Sequence, residues 1–296
     1  MLKRFALDEP ETVSETSSLL SRYGESAKIL AAGTELLLAM KQGVLGYEHL
    51  IYIKKIPGLD RLNYDENARL LTMGTLVTHR TLETSDLVKK KFPLIVEMER
   101  QIANIRVRTQ GTIGGNLCWA DPRSDVLILF LALVAQVKAV GPEGGRIIPL
   151  EDFIVGYYET VLKGDEVVTE IQIPALPINS RGAYLRFTRG ERPIVGTAVL
   201  LTLDARNEGI RSAVISLGCD SPPVRVREAE EYIQGKSIDE CLGGLKRVGE
   251  IAAKDLDVKD DYHASGWYKK EMVRVMVGRA IQKALKNGKC KMTDEK

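Results

Sequence analysis

The chain has 296 residues, of which 44% are hydrophobic and 28% are charged. A chain of this length has room for about two domains, each with a buried core. Its 42 basic and 40 acidic residues give a formal net charge of +2. This charge provides no strong positive field to attract nucleic acid, so we expect a globular protein without a nucleic acid partner.

The four cysteines are widely spaced and form neither a C-x-x-C motif nor a Cys/His cluster: Cys118, Cys219, Cys241 and Cys290. This spacing predicts no zinc or iron–sulfur site within the chain. Isolated thiols are typical of a reducing compartment. The N-terminus has no signal-peptide core, and no apolar run approaches the roughly 20 residues of a membrane-spanning helix. We therefore expect a cytoplasmic protein with no membrane span.

From the N-terminus, the apolar spacing first predicts an amphipathic helix over about residues 13–23, after Pro10. The stretch "AKILAAG" predicts a short buried strand that ends in glycine, and "ELLLAMKQG" predicts a helix closed by Gly43. A second strand, "HLIYIKKI", follows. This order of strand, turn, helix and strand indicates a compact α/β lobe.

The next segment predicts a hairpin within "NYDENARLLTMG" and a helix capped near Thr78. "FPLIVEMERQIANIRVR" is typical of helix, and a second hairpin turns at "GPEGG". Beyond a linker at Pro174 and Pro177, strands form a meander with a turn at "ARNEG". Two helices, one in "VREAEEYIQG" and one in "WYKKEMVRVMVGRAIQKALKNG", complete the prediction.

Two glycine stretches indicate close approach of a ligand to the backbone: "AAGTE" (31–35) and "TIGGN" (112–116). Glycine at a turn exposes consecutive N–H groups and admits a ligand oxygen where a Cβ would block it. Two such stretches would hold the two phosphates of a pyrophosphate through main-chain dipoles, which require no Lys or Arg. Taken alone, "TIGGN" is a weak signal, because glycine pairs are more often plain turns.

The stretch "ADPRSD" places Asp121 and Asp125 before a long apolar segment, with Pro122 at a position where a helix can begin. One interpretation is that a carboxylate caps that helix. The other is that it accepts hydrogen bonds from the sugar hydroxyls of a nucleotide. The residues alone leave both interpretations open.

Several spaced motifs together resemble one family. "AAGTELLLAMKQG" is similar to A-G-G-T-D-L-L-x-x-M-K, and "GTIGGNLCWADPRSD" to T-I-G-G-N-x-x-x-A-D-P-x-x-D. "GTLVTHRTLETS", "SPPVRVREAE" and "WYKKEMVRVMVGRAI" resemble further motifs in the same order. The family is the FAD-binding medium subunits of the molybdenum hydroxylases, such as carbon monoxide dehydrogenase and nicotinate dehydrogenase. The same module forms the middle of xanthine dehydrogenase.

The resemblance implies an α+β fold. A two-lobed FAD-binding domain of the vanillyl-alcohol-oxidase (PCMH) type is expected over residues 1–176, with lobes of about 1–57 and 58–176. A C-terminal α+β domain of the CO dehydrogenase flavoprotein type is expected over 177–290, followed by a tail, 291–296. The cofactor-binding residues that the resemblance implies are Ala31, Ala32, Gly33, Thr34, Glu35, Thr112, Gly114, Gly115, Asn116, Asp125 and Arg186.

"YLRFTRGERPIV" is similar to the family's segment near the isoalloxazine ring, with Arg186 at its lysine position and Glu191 at its aspartate position. The predicted strand position of Tyr184 is consistent with either a core residue or a ring stacked on the flavin. Ala32 departs from the family, because it occupies the first glycine of A-G-G-T. If this position needs a positive φ or lies against phosphate, the methyl group would be unfavourable by on the order of 1 kcal/mol and would weaken FAD binding.

The implied function is that of an FAD-carrying electron-transfer subunit, with the FAD bound non-covalently. Catalytic residues, metal ligands and an extra iron–sulfur cluster are not expected on this chain. The molybdenum cofactor is expected on a large molybdopterin subunit and [2Fe–2S] clusters on a small subunit, in a heterotrimer or a dimer of heterotrimers. Two alternatives are a free-standing flavin oxidase and a flavin-free assembly or scaffold protein.

Overall fold

A computed structural model describes residues 2–190, 192–219 and 221–286. The chain forms two compact units. Among the described residues, the first contains 2–81, Asn104–Trp119 and Ala135–Ile173; the second contains Leu82–Ala103, Ala120–Val134 and the described residues from Pro174 onward. The predicted boundary at residue 176 does not coincide with this division, because two earlier segments pack with the C-terminal part of the chain.

The elements are named in chain order. The strands are β1 (Ala6–Asp8), β2 (Ala27–Leu30), β3 (His49–Tyr52), β4 (Leu62–Asp65), β5 (Leu70–Gly74), β6 (Gln136–Gly141), β7 (Gly144–Pro149), β8 (Ile154–Gly156), β9 (Glu159–Thr160), β10 (Val167–Pro174), β11 (Ser180–Thr188), β12 (Pro193–Leu203), β13 (Ile210–Gly218) and β14 (Val224–Arg225). The helices are α1 (Val13–Tyr23), α2 (Leu36–Lys41), α3 (His79–Thr84), α4 (Asp86–Lys91), α5 (Pro93–Glu99), α6 (Ile105–Gln110), α7 (Ile113–Trp119), α8 (Asp125–Ala132), α9 (Leu150–Phe153), α10 (Arg227–Ile233), α11 (Ile238–Gly243), α12 (Leu245–Ala253) and α13 (Gly266–Lys286). None of the described helices is long and apolar enough to cross a membrane.

The first unit contains a parallel sheet in the order β1-β3-β2. Helix α1 confirms the prediction for residues 13–23, and it begins because the Thr12 hydroxyl accepts a hydrogen bond from the Glu15 N–H. Leu20 of α1 packs on Ala27 of β2 and Ile51 of β3. This packing produces the predicted strand–turn–helix–strand lobe, with the first glycine stretch at its turn.

A second sheet of the first unit has the order β4-β5-β10-β6-β7. Both predicted hairpins are confirmed: β4 pairs with β5, and β6 pairs with β7 so that Gly141 lies opposite Gly144. Thr78 begins α3 as predicted, since its hydroxyl accepts a hydrogen bond from the Thr81 N–H at 3.0 Å. Strand β5 is followed by α3, and the start of α7, which carries the second glycine stretch, packs on the residue directly after β5.

The second unit is built on an antiparallel sheet in the order β11-β12-β13-β14, the meander expected from the sequence. Because side chains alternate along a strand, β11 presents Tyr184 and Arg186 to one face and Ala183 to the other. The first face packs on α5 and α8, where Gly196 and Gly218 lie side by side and leave room for Ile128. The opposite face packs on α10, α12 and α13 in one large apolar cluster.

Two predicted details differ. "FPLIVEMERQIANIRVR" forms two helices, because Ala103 has a φ of 38° and Asn104 caps α6 through its side-chain oxygen. "TIGGN" is not a loop but the start of helix α7. Helices α11 and α12 were not expected from the sequence.

Candidate functional site

The first glycine stretch forms the turn between β2 and α2, as expected. Gly33 has a φ of +72°, and a Cβ on it would lie 2.7 Å from Cδ1 of Leu37, so this position requires glycine. Ala32 does not have a positive φ. The departure at Ala32 therefore carries no backbone strain, and that reason for weakened FAD binding is wrong.

The main chain of this turn is open to a ligand. Of the hydrogen bonds made by the described residues, none uses the N–H of Ala32, Gly33 or Thr34. The turn is only half-buried. The Gly33 carbonyl is engaged instead, accepting the Leu37 N–H at 3.0 Å as α2 begins. Consecutive free N–H groups beside a helix start are the donor set that phosphate oxygens need.

The second glycine stretch offers less of its main chain than expected. The Ile113 N–H donates to the Val77 carbonyl at 2.9 Å, and the Gly114 N–H donates to the Thr75 carbonyl at 3.0 Å. The Gly115 N–H donates to Oγ1 of Thr112 at 3.1 Å. The expectation that these glycines expose consecutive N–H groups is therefore wrong for the first turn of α7. Side chains remain as donors, including the Thr112 hydroxyl.

Gly114 is required for packing rather than for ligand approach. A Cβ on Gly114 would lie 1.7 Å from Oγ1 of Thr75 and 2.7 Å from its carbonyl oxygen. A Cβ on Gly115 would meet only Oγ1 of Thr112, at 2.8 Å. Gly114 thus lets the start of α7 lie directly on the residue that follows β5.

An apolar cluster brings the two stretches into the same region of the first unit. Leu30 and Leu36, which flank the first stretch, belong to a buried cluster against which Trp119 packs. Trp119 is the last residue of α7 and also makes an edge contact with Tyr158, with ring centroids 5.8 Å apart. The two ends of the predicted pyrophosphate site are therefore linked through side-chain packing.

The capping interpretation of the carboxylates is wrong, because Ser124 is the N-cap of α8. Its hydroxyl accepts a hydrogen bond from the Leu127 N–H at 3.2 Å. Asp125 is the first helical residue, and Asp121 pairs with Arg192. The helix begins three residues after Pro122.

Asp125 and Arg186, both in the second unit, are in direct contact. Oδ2 of Asp125 accepts a hydrogen bond from Arg186 at 3.0 Å, and Oδ1 accepts one from the Tyr184 hydroxyl. Arg186 also donates to the Gln101 carbonyl at 2.7 Å. Tyr184 is 1% exposed, so its ring presents no face to a ligand and the core interpretation is the one that the structure supports. Each carboxylate oxygen retains a second lone pair for a further donor.

Burial dominates the electrostatics of this cluster. Desolvation raises the pKa of Asp125 to about 6, against the lowering effects of the Arg186 charge and the Tyr184 hydrogen bond. Glu99, at the end of α5, is 0% exposed and raises the pKa of Asp125 further. Burial also raises the pKa of Tyr184 well above its usual value, so Tyr184 remains a neutral donor.

Glu99 was missed from the sequence, although a signal was present. Ile95, Met98, Glu99 and Ile102 follow the spacing of one helical face, and the other three members are apolar. An ionisable residue at an apolar position of a helix is a candidate for a buried electrostatic role. Glu191, in contrast, lies outside the described residues, as do Cys290 and the predicted tail.

His79 and Cys118 are two further side chains near the second glycine stretch. His79 is 3% exposed, and its N–H donates to the Gly111 carbonyl at 3.1 Å. Desolvation raises the pKa of the Cys118 thiol to about 12, which keeps it in the less reactive thiol form. No group of three metal-ligating side chains occurs among the described residues.

Comparison with known proteins decides the family. Residues 3–176 match the model of the FAD binding domain in molybdopterin dehydrogenase, and residues 184–284 match that of the CO dehydrogenase flavoprotein C-terminal domain. The chain belongs to the FAD-binding medium subunits of the molybdenum hydroxylases. The expected fold is confirmed: an α+β protein with an FAD-binding domain followed by a C-terminal flavoprotein domain.

Similar proteins match over nearly their whole length. The chain is 31% identical to the 6-hydroxypseudooxynicotine dehydrogenase complex subunit alpha of Paenarthrobacter nicotinovorans, over 93% of this chain and 92% of the relative. It is 30% identical to the carbon monoxide dehydrogenase medium chain of Afipia carboxidovorans, over 95% and 96%. In a structure of carbon monoxide dehydrogenase from Hydrogenophaga pseudoflava, a chain with 30% identity superimposes with a TM-score of 0.93, covering 98% of this chain and 100% of the other.

As a member of this family, the chain is an FAD-binding oxidoreductase subunit with an electron-transfer function. These relatives do not favour a free-standing oxidase or a flavin-free scaffold, because they are subunits of dehydrogenases. The turn at Gly33 fits FAD, since its open N–H groups are the donors that a phosphate oxygen of FAD needs.

Proposed function

We propose that this chain accepts electrons from the [2Fe–2S] clusters of a small partner subunit and passes them to a terminal acceptor through bound FAD. The observation that carries this proposal is the turn at Gly33, where a left-handed glycine leaves three consecutive N–H groups open before helix α2. FAD, when bound, supplies the electron-carrying chemistry, while the protein supplies binding and orientation.

Each predicted residue has a defined part in this proposal. Residues 31–35 hold one phosphate through main-chain N–H groups. Thr112 and Asn116 add side-chain donors for the other phosphate, while Gly114 and Gly115 position the start of α7. Asp125 accepts hydrogen bonds from flavin hydroxyls, and Arg186 orients Asp125 through the ion pair at 3.0 Å. In this proposal, no side chain of the chain needs to act as a general acid or base.

The complex is proposed from the relatives. The relatives include the medium chains of two carbon monoxide dehydrogenases. Because a medium chain is one of several subunits, we infer a small and a large partner subunit for this chain as well. We propose a heterotrimer or a dimer of heterotrimers, located in the cytoplasm. The domain boundary near residue 176 also remains a proposal, with the FAD-binding domain before it and the C-terminal domain after it.

Flavin binding by the purified full-length chain tests the proposal. We expect one acid-releasable FAD per chain. Gly33→Ala should lower FAD affinity at least about fivefold, because the turn of the free variant relaxes away from φ +72° and from the clash with Leu37, and FAD binding must restore that conformation at a cost of about 1 kcal/mol. Gly46→Ala is the matched control, since a Cβ there meets nothing within 4 Å. A colourless wild-type chain that takes up no added FAD would overturn the proposal.

A further inference from the structure

Tyr184 is a buried polar residue to which the proposed function gives no part. It lies in β11, is 1% exposed, and its hydroxyl donates a hydrogen bond to Oδ1 of Asp125. Among the described residues, this hydroxyl makes no other hydrogen bond. The contact therefore links the sheet of the second unit directly to the first residue of α8.

Small residues on β12 let Tyr184 reach Asp125. Tyr184 lies opposite Ala198 in the β11–β12 register, and the next residue of β12 on the same face is Gly196. A Cβ on Gly196 would lie 3.2 Å from the Tyr184 hydroxyl and 2.5 Å from Cδ1 of Ile128. The hydroxyl therefore lies over Gly196 on the face of the sheet that α8 covers, and there it meets the carboxylate of Asp125.

The Tyr184 hydroxyl is a neutral donor to Asp125. Burial, reinforced by the nearby Asp125 charge, raises the pKa of Tyr184 well above its usual value, so the hydroxyl keeps its proton. A hydroxyl donates a stronger hydrogen bond to a carboxylate than to a neutral carboxylic acid. The contact therefore favours the ionised form of Asp125, whereas burial of Asp125 favours the acid.

Other ionisable groups also surround the start of α8. Besides burial, the Arg186 charge lowers the pKa of Asp125 and the Glu99 charge raises it. The remaining groups are exposed or paired: Glu97 and Arg100 of α5, exposed; Asp121, paired with Arg192; Arg123, hydrogen-bonded to His263; Arg211 of β13, exposed; and Arg225 of β14, paired with Glu230. Strand β12 contributes no ionisable residue, and neither does α8 beyond Asp125. Substitution of Tyr184 leaves all these charges in place and removes one donor alone.

We propose that Tyr184 is a positioning residue for Asp125, and that its hydroxyl holds Oδ1 and keeps the side chain in the ionised form that accepts a hydroxyl of FAD. This inference rests on the proposed function, in which Asp125 binds such a hydroxyl. Protonated Asp125 is a weaker acceptor, because hydrogen bonds to a charged oxygen are about twice as strong as those to a neutral one. FAD binding is therefore coupled to release of a proton from Asp125.

The direction of the pH effect follows from this coupling. Burial raises the pKa of Asp125 to about 6, against the lowering effects of the Arg186 charge and the Tyr184 hydrogen bond. Below that pH the charged acceptor is lost, and the FAD dissociation constant should rise about fivefold. Removal of the Tyr184 hydroxyl takes away one of the lowering effects, so the pKa of Asp125 rises and the loss of affinity begins at higher pH.

FAD titrations of the full-length chain between pH 5 and pH 8 test the proposal, with flavin fluorescence as the readout. Wild-type affinity should fall as the pH drops through about 6, and Tyr184→Phe should move this fall higher by about one pH unit. Tyr262→Phe removes the hydroxyl of a tyrosine that is 95% exposed, and it should reproduce the wild-type profile. At pH 8 all three chains should bind FAD with affinities within about twofold of one another. Asp125→Asn has no carboxyl group to protonate, so its profile should be flat.

Coincident profiles of Tyr184→Phe and the wild type would overturn the proposal, as would a flat wild-type profile. A purely structural role of Tyr184 would lower the affinity of Tyr184→Phe equally at every pH, and that result also overturns it. In these cases FAD binding at pH 8 leaves the proposed function standing, whereas a wild-type chain that binds no FAD at pH 8 refutes both. If Tyr184→Phe does not fold, 3-fluorotyrosine at position 184 provides the second variant. Its more acidic hydroxyl is a stronger donor, so the fall must move to lower pH, and an unmoved profile overturns the proposal.

Discussion

Replacement of Gly114 by alanine is the sharpest test of how the second glycine stretch is built. The added Cβ would lie 1.7 Å from Oγ1 of Thr75, where real Cβ contacts essentially never fall below 3.0 Å. Rotation of the Thr75 side chain does not relieve the clash, because its Cβ and its carbonyl oxygen are each only 2.7 Å away. Thr75 is itself held by a hydrogen bond from its N–H to the Thr169 carbonyl at 3.1 Å. Helix α7 must therefore move.

The expected cost follows from what that movement disrupts. Overpacking lowers the free energy of unfolding by about 1–3 kcal/mol. Weaker hydrogen bonds from Gly114 to Thr75 and from Ile113 to Val77 lower it by about 1 kcal/mol more. A loss of about 3 kcal/mol lowers the melting temperature by roughly 6–12 °C. Thermal unfolding of the FAD-free chain, followed by circular dichroism, measures this shift.

Two other glycines serve as controls. Gly115→Ala should have a smaller effect, because its Cβ meets only Oγ1 of Thr112, and Gly46→Ala should change the melting temperature by about 2 °C or less. If Gly114→Ala melts within about 2 °C of the wild type, α7 does not rest on Thr75 as described.

Two further substitutions test the other unusual positions. Ala32→Gly should lower the free energy of unfolding by about 0.4–1 kcal/mol, since Ala32 has an ordinary φ and glycine adds entropy to the unfolded chain. A rise in melting temperature would show that this position prefers glycine. Lys269→Met should lower the free energy of unfolding by on the order of 2 kcal/mol, because the buried Lys269 ammonium lies 2.8 Å from Asp261 and donates to the Lys259 carbonyl at 3.0 Å, and both interactions are lost. Lys286→Met, at an exposed position of the same helix, is its control, and equal melting temperatures for the two variants would contradict the prediction.

Local patterns in the sequence were sufficient for much of the fold. Helix α1 and the β6–β7 hairpin have their signals within a few adjacent residues: a proline near the helix start with apolar spacing, and glycines at a turn. The first glycine stretch was located correctly for the same reason, since a strand, a glycine and a helix follow one another directly.

Features that depend on distant residues were not predictable in this way. Gly114 resembles a ligand-binding glycine in the sequence, but its requirement comes from Thr75, almost forty positions earlier. Asp125 resembles a helix cap until the structure shows that Ser124 fills that role and that β11 supplies the partners of Asp125. Family resemblance supplied the cofactor, which no local pattern specified.

The interleaving of the two units has a consequence for the order in which the protein matures on the ribosome. Helix α8 is apolar at every position after Asp125, and it is covered by β12 and β13, which are synthesised some seventy to ninety residues later. A nascent chain that ends at the predicted domain boundary therefore exposes α8 without the sheet that buries it. The helix that carries Asp125 is therefore covered only after β12 and β13 have been synthesised.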